Sequence, residues 1–108
     1  MSGPRVIRDG KVAVLYSPGF GAGWSTWASA DYTREQLIFS PELVAAVEAK
    51  LPVLELCALA KRLFPEQYDG GVKQLKIEWL PVGQSFRIEE YDGSESIRFP
   101  TGDDLVTA

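Results

Sequence analysis

Asp92-Gly93 lies between two runs of alternating apolar and polar residues, Ser85-Phe-Arg-Ile-Glu-Glu-Tyr91 and Ser94-Glu-Ser-Ile-Arg-Phe99. Asp-Gly is favoured in a two-residue hairpin turn because both positions need positive φ, and alternation with period two is the pattern of a strand that buries one face. Counting outward from the turn sets Ile88 opposite Ile97 and Phe86 opposite Phe99, with Arg87 and Glu89 on the other face beside Arg98 and Ser96. A four-residue loop at Pro81-Val82-Gly83-Gln84 then sets Trp79 opposite Phe86, Ile77 opposite Ile88, Glu78 opposite Arg87 and Lys76 opposite Glu89. The expectation is an antiparallel three-stranded meander near 74–80, 85–91 and 94–99, with one apolar face for helices and one salt-bridged face for water.

The remaining elements are shorter statements of the same kind. Lys11-Val-Ala-Val-Leu-Tyr16 is a continuous apolar, β-branched run stopped by Ser17-Pro18-Gly19, which predicts a buried N-terminal strand that joins this sheet. Ser40-Pro41-Glu42 has the form of a helix start, with Ser as N-cap and Pro at the first helical position, and predicts a helix to about Lys50. After Pro52, Val53 to Phe64 is apolar nearly all round and predicts a second, largely buried helix. Together these predict an α+β fold in which two helices pack on one face of the sheet. With 108 residues, 45% apolar and 24% charged, the chain is expected to form one domain over 1–108 with one core. The ordered part is expected over about 5–100, with a flexible tail at 101–108.

Composition closes off much chemistry. The chain has no histidine, which excludes Ser-His-Asp and Cys-His nucleophile activation and His-ligated zinc. A net charge of −4 without a basic block argues against long nucleic acid, which needs Lys and Arg to displace many counterions. No apolar run reaches the ~18 residues of a membrane span, and Met1-Ser2-Gly3-Pro4-Arg5 lacks the apolar stretch of a secretion signal, so a cytoplasmic protein without a membrane partner is expected. Cys57 lies in an apolar stretch and reads as a buried, inert thiol.

The chemically unusual segment is Gly19-Phe20-Gly21-Ala22-Gly23-Trp24-Ser25-Thr26-Trp27. Glycines after a buried strand let successive N–H groups converge on one point, a nest suited to an anion. Ser25 and Thr26 add hydroxyls, and Phe20, Trp24 and Trp27 offer faces on which a base could stack, a contact of about 1–3 kcal/mol in single-stranded nucleic-acid sites. The ligand-binding candidates are therefore Gly19, Phe20, Gly21, Gly23, Trp24, Ser25, Thr26 and Trp27, with no catalytic residue, metal ligand or cofactor assigned. The spacing matches neither the dinucleotide fingerprint nor a P-loop. The competing reading is that Trp24 and Trp27 plug the open edge of a small core while the glycines merely turn the chain. A second oddity lies in the hairpin, where Glu90 and Glu95 fall opposite each other on the otherwise apolar face. Solvation beyond the core edge or a neighbouring Lys or Arg would compensate them, and a metal or a catalytic carboxylate pair is the rarer alternative. An enzyme using Glu90, Glu95 or Ser25 lacks an activating base.

Two stretches, Val12 to Trp27 and Ile77-Glu-Trp-Leu-Pro81 with Phe86-Arg-Ile-Glu-Glu-Tyr-Asp-Gly-Ser-Glu-Ser96, resemble a family of small proteins encoded by bacteriophages and prophages. The resemblance covers most of the chain between about Lys11 and Ile97. It implies a phage or prophage setting and the cytoplasm of a bacterial host, and it assigns no activity or site residue. By functional analogy, a Gly/Trp nest in that setting suits capture of a small anionic, nucleotide-like ligand, as counter-defence sponge proteins do. The alternative is an interaction module or inhibitor that binds a bacterial host protein through Trp24, Trp27, Asp31 and Glu35. An exposed sheet edge also makes a homodimer an expectation to test.

Overall fold

The structure, a computed structural model, describes residues 5–19, 23–27, 29, 31–67, 70–99 and 106–108. Asp9 and Gly10, at φ 51° and 75°, turn the chain between β1 (Ile7–Arg8) and β2 (Lys11–Tyr16). This is the same Asp-Gly hairpin signal as at Asp92-Gly93, with only two residues of strand before it. In β2, Val12, Ala13, Val14 and Leu15 are all fully buried, so both faces of the strand meet a core. That is the burial expected of a central strand, and β2 lies between β1 and β3 (Lys76–Pro81) in an antiparallel sheet.

The second sheet has the order β5-β4-β6, from β4 (Ser85–Tyr91), β5 (Ser94–Arg98) and β6 (Val106–Thr107). Asp92 and Gly93 take φ 51° and 86°, and Ile88 pairs with Ile97, Glu89 with Ser96 and Glu90 with Glu95, as the hairpin signal predicts. On its outer face Arg87 Nε donates to Glu89 at 2.9 Å and Arg98 lies 3.5 Å from the same carboxylate.

The three-stranded meander is corrected. β3 pairs with β2, setting Trp79 opposite Ala13, Ile77 opposite Leu15 and Glu78 opposite Val14, and it does not pair with β4. Pro81-Val82-Gly83-Gln84 is a turn, closed by Gln84 N–H on Pro81 O at 3.0 Å with Gly83 at φ 89°. It carries the chain from one sheet to the other instead of folding it back. The alternation of β3 satisfies either neighbour, because Ile77 and Trp79 find apolar partners in Leu15 and Ala13 as readily as in Ile88 and Phe86. The place expected for β3 beside β4 belongs to β6, where Phe86 pairs with Val106. The flexible tail is therefore corrected at its last three residues: Val106 and Ala108 are buried, and Ala108 exchanges hydrogen bonds with Gln84 and Gly83. Residues 101–105 lie outside the described residues.

Among the described residues three α-helices complete the fold. α1 (Arg34–Ile38) begins at a capping box in which Thr33 Oγ1 accepts from Gln36 N–H and Gln36 Oε1 accepts from Thr33 N–H. α2 (Pro41–Glu48) begins as expected, with Ser40 as N-cap accepting from Leu43 N–H. It stops two residues earlier than expected, before Lys50 at φ 56°. α3 (Val53–Leu63) is corrected from largely buried to one-sided: Leu56 and Ala60 face the core while Leu54 is 85% exposed. Cys57 is half-buried.

The expectation of one core also changes. Ala13 and Leu15 form a cluster with Trp24, Leu37, Leu43, Val44, Leu56 and Ala60, between the helices and the first sheet. Val12 and Val14, on the opposite face of β2, form a second cluster with Ile38, Phe39, Leu80, Phe86, Ile88 and Val106, between the two sheets. The result is an α+β arrangement of three layers, helices on sheet on sheet, with β2 in both cores.

Candidate functional site

Ser17 directly follows β2, and the start of β5 lies alongside it. Glu95 N–H donates to Ser17 O at 2.8 Å and Ser94 Oγ to Pro18 O at 2.6 Å, which joins the two sheets at this corner. Glu95 is on the inward face of β5 and only 1% exposed. Its carboxylate accepts from Ser17 N–H at 2.9 Å, Trp24 N–H at 2.7 Å, Thr26 N–H at 3.0 Å and Thr26 Oγ1–H at 2.6 Å. All four contacts are donors, which is the requirement for burying a carboxylate away from water. No Lys or Arg pairs with it among the described residues, which corrects the expectation of solvation or a basic neighbour for this residue. Its register partner Glu90 is exposed and accepts from Gly93 N–H at 2.6 Å, capping the turn.

Ser25–Trp27 is a single 3-10 turn, and the Trp24 and Thr26 amides that reach Glu95 stand at its start. They would otherwise point at nothing. Gln67, 2% exposed, supplies the complementary half: its Nε2 donates to Trp24 O and Trp27 O, each at 3.2 Å, and its Oε1 accepts from Ser29 N–H at 2.7 Å. One buried side chain thus satisfies N–H groups of the loop and another its carbonyls.

Gly23 and Gly19 sit where a side chain has no room. A Cβ on Gly23 would lie 2.5 Å from Thr26 Oγ1 and 3.1 Å from Glu95 Oε2, and one on Gly19 would overlap Gln74 Oε1 at 0.8 Å. Trp24 is fully buried, donates from Nε1 to Leu37 O at 2.8 Å, and meets Phe64 edge-on at 6.1 Å, with Tyr32 edge-on to Phe64 at 5.1 Å. Ser25 is 4% exposed, and its Oγ has no partner among the described residues. Trp27 is 39% exposed. Phe20 and Gly21, the other two candidates, lie outside the described residues.

The structure shows an internal anion site beside the expected glycine nest: its donors are Ser17, Trp24 and Thr26, whereas residues 20–22 of the Gly19–Gly23 nest lie outside the described residues. Trp24 is a core plug and cannot stack on a ligand, and the Thr26 hydroxyl, expected as a donor to an external anion, is engaged by Glu95. The sequence reading missed Glu95 as the anion and Gln67 as its counterpart, although Glu95 had already stood out as an inward-facing acid. Among the described residues no three Cys, Asp or Glu side chains converge as metal ligands, and no helix is long and apolar enough to cross a membrane.

No family model, curated protein or solved structure matches the chain.

Proposed function

We propose that the chain is a non-catalytic interaction module that presents Trp27 to a protein partner of basic character. The observation that carries this reading is an exposed tryptophan on a segment whose main chain is fixed from below by Glu95 and Gln67. Aromatic anchors contribute most when they are already held in the bound geometry, because less ordering entropy is lost on binding. The neighbouring surface is acidic and aromatic: the 3-10 turn packs against β4, whose end bears exposed Glu90 and Tyr91 (79% exposed), and Asp92 follows. Asp31 is also exposed. An Arg or Lys side chain on a partner suits both the indole face and these carboxylates.

The resemblance to phage-encoded proteins makes a bacterial host protein the partner to test first. Immobilised wild-type chain should retain a basic protein from bacterial lysate, with retention that falls as salt rises, whereas Trp27→Ala should release it. Trp27→Ala should itself change unfolding free energy by no more than about 1 kcal/mol, as for a partly exposed residue. Equal retention by wild type and Trp27→Ala would refute the assignment of Trp27 as anchor.

A further inference from the structure

The outer side of the same loop carries a different chemistry. Pro18 and Gly19 leave the end of β2 and run past the 3-10 turn Val72–Gln74 that leads into β3, and between them opens a cleft of about 560 Å³ lined by Pro18, Gly19, Lys73, Gln74, Leu75 and Lys76. Val72 and Leu75 are buried on either side of Lys73 and Gln74, which anchors the segment and leaves Lys73, Gln74 and Lys76 on the surface. Gln74 lies directly over the Gly19 backbone, in space that any side chain at position 19 would fill.

The electrostatics of this cleft run against those of the molecule. The chain has 15 acidic and 11 basic residues, yet two lysines three positions apart flank one opening. The salt bridges of the described residues involve Arg8, Arg87 and Arg98, and neither lysine has a carboxylate partner among those residues. Two ammonium groups, with a carboxamide held between them against the Gly19 backbone, are the groups that bind a compact dianion, and Pro18 and Leu75 offer apolar wall for whatever bears it. We infer that this cleft is a binding site for a small phosphate-bearing molecule, separate from the Glu95 nest and independent of the Trp27 surface.

The test is an amide NMR titration of the full chain with inorganic phosphate and with pyrophosphate, at an ionic strength held constant with sodium chloride. The expected result is saturable shifts at Gly19 and at Lys73, Gln74 and Lys76, with the Trp24 and Thr26 amides unmoved. The double variant Lys73→Gln/Lys76→Gln should weaken binding by about tenfold or more at an unchanged Tm, whereas Lys11→Gln should leave it unaltered. Gly19→Ala, which displaces the flexible Gln74 side chain and keeps both charges, should weaken it by roughly fivefold. Non-saturating shifts, binding that survives the double variant, or shifts centred on Trp24 and Thr26 would each overturn the site.

Discussion

At one end of β2 a buried carboxylate, Glu95, accepts four hydrogen bonds and meets no cation among the described residues. At the other end, Arg8 and Glu48 form a two-bonded ion pair in contact with water, with the Arg8 guanidinium 5.2 Å from the Trp79 ring. The second arrangement has the greater formal attraction and the smaller structural consequence. Exposed opposite charges are screened and well solvated apart, so bringing them together changes little. The Glu95 donors come from two segments, Ser17 and the 3-10 turn with the residue before it, and one carboxylate ties the main chain of both together. A hydrogen-bonded anion without a counter-charge is thus the stronger organiser of this chain.

The difference can be broken most forcefully by Glu95→Ala. It leaves three amides and a hydroxyl without acceptors and should lower the unfolding free energy by about 3 kcal/mol or more in equilibrium denaturation. Gln67→Ala removes the opposite half of the clamp, freeing Trp24 O, Trp27 O and Ser29 N–H near the surface, and should cost about 2 kcal/mol. It should also loosen Trp27 and so weaken partner retention.

The smallest effect is expected at the other end. The hydrogen bond from Arg8, and then its charge, hold the Glu48 carboxyl below the usual carboxylate range. A depressed carboxyl stabilises the fold above its unfolded-state pKa and loses that contribution as pH falls through the folded-state value. Arg8, raised by the same hydrogen bond, loses its share only at strongly alkaline pH. Glu48→Gln should therefore slightly flatten the acid limb of a Tm-against-pH curve and leave Tm near neutrality almost unchanged. A large loss of stability there would invert the comparison.

Features set by neighbours in the chain were legible. Asp92-Gly93 fixes the β4–β5 register because its φ requirements and the alternation on both sides agree, and Ser40-Pro41 starts a helix for equally local reasons. Thr33 and Gln36 carried a capping-box signal of the same quality, but α1 is only five residues long and has little periodicity to support it. The partners of β3 and β4 were not legible, since an alternating strand fits any neighbour with the right face. The site was half legible. The loop stood out for its glycines and the hairpin for an inward acid without a base, and that acid is satisfied by amides just after the glycines, at Trp24 and Thr26, some 70 residues away in the chain. Such a pairing follows from the tertiary meeting of β2 and β5, which no local pattern encodes.

The most direct measurement is native-state hydrogen exchange at the Trp24 and Thr26 amides, whose acceptor in the fold is Glu95. In the wild type both should exchange far more slowly than unstructured amides. Glu95→Gln should accelerate both, while Glu90→Gln, altering the acid directly across the strand pair, should leave them protected. Unprotected amides in the wild type, or equal acceleration by the two variants, would contradict the internal anion as the element that holds the loop.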